Sequence, residues 1–161
     1  MRIIGTGSAL PSLVVTNQDL TKFLDTSDEW ISTRTGIRER RALSTETLES
    51  LAFEAAKAAL DNAGLTAEDI DFILCSTVQG EWVTPALSCM VQRDLGASCP
   101  ALDVNGACAG FVYALDVADA FLKSGKAKRV LIVCAEAMTH LVDWKRREEC
   151  VLFGDGAGAA V

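Results

Sequence analysis

The sequence predicts an α/β architecture built on a mostly parallel, five-stranded sheet. Three observations predict it. Short apolar runs rich in β-branched residues alternate with longer stretches of helical periodicity. Two of the runs, "DFILCSTV" (71–78) and "RVLIVCAEA" (129–137), are apolar on both faces, as strands covered on both sides are. Helices separate most of the strands, which requires crossover connections and parallel neighbours.

Each element follows in order. Residues 2–10, "RIIGTGSAL", read as a strand and turn. Residues 26–36, "TSDEWISTRTG", read as a short helix, with Thr26 and Glu29 at capping-box spacing and Gly36 as the stop. Residues 46–64 read as a longer helix whose apolar stripe is Leu48, Leu51, Ala52, Ala55, Ala59, Leu60 and Ala63, closed by Gly64. The run 71–78 is the second strand. Residues 85–96, "PALSCMVQRDLG", form a helix with Pro in its first turn and Gly at its end. "ALDV" (101–104) is a short strand, residues 108–124 a helix ended by Gly125, and 129–137 the fourth strand. "CVLFGDGAGAAV" (150–161) opens as the fifth. No repeat, low-complexity segment or linker interrupts the chain, and 161 residues fit one domain or one half of a larger one.

Bulk chemistry narrows the function. Half of the residues are hydrophobic and 23% are charged, the balance of a globular chain with a substantial core. A net charge of −7 argues against nucleic acid as a partner, though not against a local basic patch for a small phosphorylated ligand. No apolar run is long enough for a membrane span. The start, "MRIIGTGSALPS", lacks the apolar centre of a secretory leader, so a cytoplasmic protein is expected. The six cysteines are 75, 89, 99, 108, 134 and 150; none makes a CxxC pair and there is a single His, so neither a metal site nor a disulfide framework is expected. Cys75, Cys134 and Cys150 sit in apolar runs and read as small core hydrophobes.

Two features point beyond this one sheet. In residues 108–122 the only charged side chains are Asp116 and Asp119, three apart on one narrow strip. A helix over a single sheet normally keeps a wide polar face. This one calls for a second covering layer, from another chain or from a further half. The apolar close, "GDGAGAAV", gives the same expectation. Within that helix pattern, Cys108 follows Asn105-Gly106-Ala107 and stands at or beside the helix start. Free N–H groups there favour a thiolate and could hold an oxyanion, and the small neighbours leave room for a bulky acyl group. Local spacing alone fits a buried structural Cys equally well.

The stretches "IIGTGSALP", "TNQDL", "DTSDEWISTRTGIRER", "ACAGFVYAL" and "FGDGAGAAV" together resemble the N-terminal half of β-ketoacyl-acyl-carrier-protein synthase III, a thiolase-fold condensing enzyme. The resemblance implies that residues 1–161 are one thiolase-like half of an α-β-α-β-α layered sandwich, with the C-terminal half outside this sequence. It implies an acyltransferase and condensing enzyme of fatty acid biosynthesis. An acyl group from acyl-CoA, with acetyl-CoA the expected donor, is loaded on Cys108. Malonyl-acyl carrier protein is then decarboxylated and condensed with it, in ping-pong fashion. By the same likeness Trp30 corresponds to the aromatic that stacks on the coenzyme A adenine. Arg34 and Arg147 match contacts to its nucleotide and phosphates, Thr26 lies near that site, and Thr84 faces the acyl pocket of a homodimer partner. Many relatives carry Phe in place of Thr84, so the starter acyl group is left open.

The alternatives at each position are plain: Trp30 as a core staple, each Arg as a solvated side chain, and Arg147 paired within "KRREE" (145–149). Coenzyme A enters as substrate and no resident cofactor is implied. The family's His and Asn, which promote decarboxylation, match nothing here, so condensation by these residues alone is not expected. His140 reads as a loop residue. "GDGAGA" lacks the Lys-Ser/Thr of a phosphate loop. Two other readings stand beside this one. The first is a related thiolase-fold acyl-CoA enzyme, of hydroxymethylglutaryl-CoA synthase or secondary-metabolite ketosynthase type. The second is a non-catalytic half that pairs with a separate chain.

Overall fold

The computed structural model describes residues 1–161. Seven strands are formed: β1 (Thr6–Ala9), β2 (Leu13–Thr16), β3 (Glu39–Ala42), β4 (Phe72–Ser76), β5 (Ala101–Asp103), β6 (Val130–Ala137) and β7 (Asp155–Ala160). Five of them make one sheet in the order β1-β7-β6-β4-β5, while β2 and β3 pair as a separate ribbon. β4 runs parallel to both β5 and β6; β7 is antiparallel to β6 and to β1. Four of the five strands therefore point one way and β7 alone is reversed, the mostly parallel sheet expected.

The helices are α1 (Asn17–Leu20), α2 (Asp28–Thr35), α3 (Leu48–Ala63), α4 (Leu87–Leu95), α5 (Gly110–Lys123) and α6 (Arg147–Cys150). α3 starts where the Thr47 side chain accepts from Ser50 N–H and stops at Gly64 in the left-handed conformation, φ 67°. Its buried face is the predicted stripe, with Ala56 added and Ala63 only partly covered. Alanines suit that face because β1 lies very close: a Cβ on Gly7 would stand 2.3 Å from the Ala55 carbonyl oxygen. α4 has no capping side chain of its own. Asp103, at the end of β5, supplies it, accepting from Leu87 N–H at 3.0 Å and Ser88 N–H at 2.8 Å.

Strand residues alternate between two cores. Ile73, Cys75, Leu131, Val133 and Ala135 face α3 and α4, while Phe72, Leu74, Val130 and Ile132 face Ala114 and Ala118 of α5. Each of these large apolar side chains contributes about 1.5–3 kcal/mol on burial. α5 spends only its small-residue stripe on the sheet. Phe111, Val112 and Tyr113 point outward and are exposed, so the layer expected over this helix is not supplied by these residues.

Three local readings change. Ser27, not Thr26, caps α2: Ser27 is extended and its hydroxyl accepts from Trp30 N–H at 3.0 Å, whereas Thr26 Oγ1 is buried without a partner. Residues 147–150 form the turn α6, and the last strand starts only at Asp155. There the buried Asp155 carboxylate accepts from Leu43 N–H, Thr139 N–H and Thr139 Oγ1 at 2.6–2.8 Å, which anchors the strand's first residue. The helix read from residue 108 begins as a 3₁₀ turn, Ala107–Ala109, and becomes α-helical at Gly110. No helix is long and apolar enough to cross a membrane.

Candidate active site

β6, β4 and β5 lie side by side and parallel, so their C-terminal ends share one edge of the sheet. Ligands of open α/β sheets collect outside such an edge. The connection leaving β4 carries Thr84, the one leaving β5 carries Cys108, and the one leaving β6 carries Arg147. Three residues up to 63 positions apart in sequence are thus brought to one edge by topology.

Cys108 sits in the 3₁₀ turn, and its neighbours define its position. Ala107 has φ 46°, a left-handed conformation unusual for a residue with a Cβ. Its N–H donates to Asn105 Oδ1 at 3.3 Å, and Asn105 Nδ2 donates to Val78 O at 3.1 Å. Val78 N–H in turn donates to both carboxylate oxygens of Glu136, at 2.9 and 3.0 Å. The ends of all three parallel strands are thus tied behind the thiol. Two glycines let the turn close. A Cβ on Gly110 would lie 1.9 Å from Ser76 Oγ, and one on Gly106 would lie 2.4 Å from the Tyr113 ring.

Among the six thiols, Cys108 is the exposed one. Cys75, Cys99 and Cys150 are buried, and Cys89 and Cys134 are half-buried. Burial pushes the Cys75 thiol well above the ordinary range, Cys134 up to about 11, and Cys99 and Cys150 upward as well. Those four hold their protons and are poor nucleophiles near neutral pH.

The second cluster assembles around Trp30. The Arg34 guanidinium carbon lies 4.6 Å from the indole centroid and that of Arg147 lies 4.8 Å from it. Arg34 also donates to Trp30 O at 3.2 Å, one helical turn back. Arg147 does not pair within its own basic-acidic run: Arg146 takes Glu148 and Glu149, while Arg147 Nη1 donates to Asp25 O and lies 3.8 Å from the Asp25 carboxylate. Trp30 is half-buried against the small core of Leu20, Leu24, Ile31, Cys150 and Val151, so it is part staple and part open face. An aromatic plane with two forked cations over it suits an adenine ring and phosphate oxygens. Thr26 lies beside this cluster in sequence, half-buried, and Thr84 is exposed in its loop. His140 is exposed in the 3₁₀ turn Met138–His140, a loop residue as read.

Sequence reasoning missed Asn105 and Glu136 behind the thiol. Glu136 looks like an ordinary residue of an apolar strand, and its one local signal was a lone carboxylate in such a run.

The family model for 3-oxoacyl-[acyl-carrier-protein] synthase III matches residues 102–161, the segment that contains Cys108. The chain is 54% identical over 162 aligned positions to a β-ketoacyl-[acyl-carrier-protein] synthase III of Xanthomonas euvesicatoria, covering 99% of this chain and 50% of that one. The crystal structure of 3-oxoacyl-[acyl-carrier-protein] synthase III from Aquifex aeolicus superposes with a TM-score of 0.97 at 53% identity, covering 99% of this chain and 52% of that one. The priming β-ketosynthase of the R1128 polyketide pathway superposes with a TM-score of 0.95 at 40% identity, covering 99% and 48%.

The sheet order and the helices superpose on about half of the Aquifex aeolicus synthase structure, so the chain has the α/β fold of that part of it. Its homologues are β-ketoacyl-[acyl-carrier-protein] synthase III proteins, and the chain spans about half the length of the curated relatives it matches.

Proposed function

We propose that this chain is the N-terminal, thiol-bearing half of a condensing enzyme that initiates fatty acid synthesis, and that Cys108 is its acyl acceptor. The observation that carries the reading is the convergence of Thr84, Cys108 and Arg147 on one sheet edge, with Cys108 the exposed thiol there. Trp30, Arg34 and Arg147 hold the nucleotide end of an acyl-CoA, and Thr26 borders that site. Cys108 Sγ attacks the acyl carbonyl; the C–S bond to coenzyme A breaks, and coenzyme A leaves as a thiol carrying the proton that Cys108 gives up. Malonyl-acyl carrier protein then loses carbon dioxide. Its carbanion attacks the Cys108 thioester, and the thiolate is released. The second step draws its His and Asn from outside these residues, so this chain supports acylation and not condensation. Thr84, with Trp82 and Val83 beside it in an exposed loop, meets a second copy in a dimer. The absence of a membrane-crossing helix and six unpaired thiols support a cytoplasmic setting.

Mixing the chain with excess acetyl-CoA tests the first step. One equivalent of free coenzyme A thiol is expected per chain, and none with Cys108→Ala. Equal release by both proteins, or no release by either, overturns the assignment. The 40% identical polyketide priming enzyme favours a second reading, a secondary-metabolite starter unit, and a longer-chain acyl-CoA that outcompetes acetyl-CoA would select it.

A further inference from the structure

We propose that Arg40 and Asn17 are positioning residues for the Trp30–Arg34–Arg147 cluster, holding the two elements that carry it at a fixed separation. Arg40 lies in β3, is 6% exposed, and makes no ion pair with a carboxylate. Its guanidinium instead donates to Val15 O at 3.2 Å, to Asn17 Oδ1 at 2.8 Å and to Val151 O at 3.2 Å. Val151 is the residue at which α6, the bearer of Arg147, ends. Asn17 is 1% exposed and passes the link on: its Nδ2 donates to Ile37 O at 2.7 Å and to Asp28 Oδ1 at 2.8 Å. Asp28 is the first residue of α2, the bearer of Trp30 and Arg34. Val151–Arg40–Asn17–Asp28 is therefore a continuous hydrogen-bonded brace between α6 and the start of α2.

A buried guanidinium without a counter-charge is costly, and the Arg40 Nε has no partner at all. A core of apolar side chains would hold the ribbon more cheaply. What the guanidinium adds is geometry: a rigid planar fork reaching three acceptors on three elements. The brace accounts for Asn17 of "TNQDL" and Arg40 of "RTGIRER", motif residues that the reaction itself does not use.

The inference rests on the coenzyme A reading of the cluster, and its test separates the two. Coenzyme A binding is measured by calorimetry on the whole chain, with iodoacetamide labelling of Cys108, thermal melting and the ¹H–¹⁵N resonance of the Trp30 indole in parallel. Asn17→Asp keeps the bond to Arg40 but removes the donor to Asp28 and Ile37, and Asp28→Ala removes the acceptor. Both are expected to weaken coenzyme A binding about tenfold, the scale of one lost hydrogen bond. Both should shift the Trp30 indole resonance while Cys108 labelling stays at the wild-type rate. Asp28→Asn, which retains Oδ1 as acceptor, should bind as wild type does. The brace is refuted if Asn17→Asp and Asp28→Ala bind normally with an unshifted indole. Parallel loss of binding, labelling and melting temperature also refutes it, since that is the mark of a merely structural role. If the wild-type chain binds no coenzyme A, the functional reading fails instead, and the indole resonance still decides whether the brace orders the cluster.

Discussion

Gly110→Ala is the smallest change that reaches the thiol. The new methyl would meet Ser76 Oγ, so β4 and the α5 start must separate. We expect a loss of about 1–3 kcal/mol, the usual cost of overpacking. Urea melting checks it, and Ser76→Ala in the same chain should recover part of the loss. At the second cluster, Arg147→Ala should weaken coenzyme A binding about tenfold, near 1.4 kcal/mol, as loss of one charge-assisted contact does. Calorimetry reads it, and unchanged affinity would remove Arg147 from the site. Cys108, Trp30, Arg34 and Arg147 were legible only through motifs. No periodicity joins Arg147 to Trp30; the return of the chain from β6 does. Local spacing left Cys108 undecided, and its exposure with five more sheltered thiols elsewhere is a property of packing.

Elements show how far local chemistry reaches. Gly36, Gly64, Gly96 and Gly125 all take positive φ, so helix stops were readable one residue at a time. The β2–β3 ribbon was not. It pairs Leu13 with Ala42, and two arginines in β3 conceal any strand pattern. The cap of α4 was equally hidden because it comes from β5. Two carboxylates that join elements should respond to pH in opposite ways. Burial raises the Glu136 pKa. Its contribution to stability is present below the ordinary carboxylate value, about 4.3, and is lost as pH rises through the folded value. Glu136→Gln should therefore gain on wild type as pH climbs from that point. Asp71 has its pKa lowered by the Lys128 and Arg129 N–H groups. Its contribution is present above about 3.9 and is lost as pH falls, so Asp71→Asn should be weaker than wild type at neutral pH and match it in acid. Urea midpoints across a pH series read both, and slopes of the other sign would contradict the two assignments.

The whole molecule carries more apolar surface than one sheet with its helices needs. Val83 is fully exposed, Trp82 and Val112 more than half so, and Phe111 and Tyr113 lie open on α5. That imbalance was legible in the near absence of charge from residues 108–122, although the uncovered side could be located only in three dimensions. A hydrophobic dye should bind the chain, and Phe111→Asp with Val112→Lys should reduce its fluorescence while the helical circular dichroism persists; a dye-negative wild type would contradict the exposed face. In the proposed reaction one thiol of six accepts an acyl group at the shared edge of three parallel strands. Peptide mapping by mass spectrometry after incubation with acetyl-CoA tests it most directly. A single acetyl thioester is expected on the Cys108 peptide, lost with Cys108→Ala. Acetylation confined to another cysteine, or surviving in that variant, would contradict it.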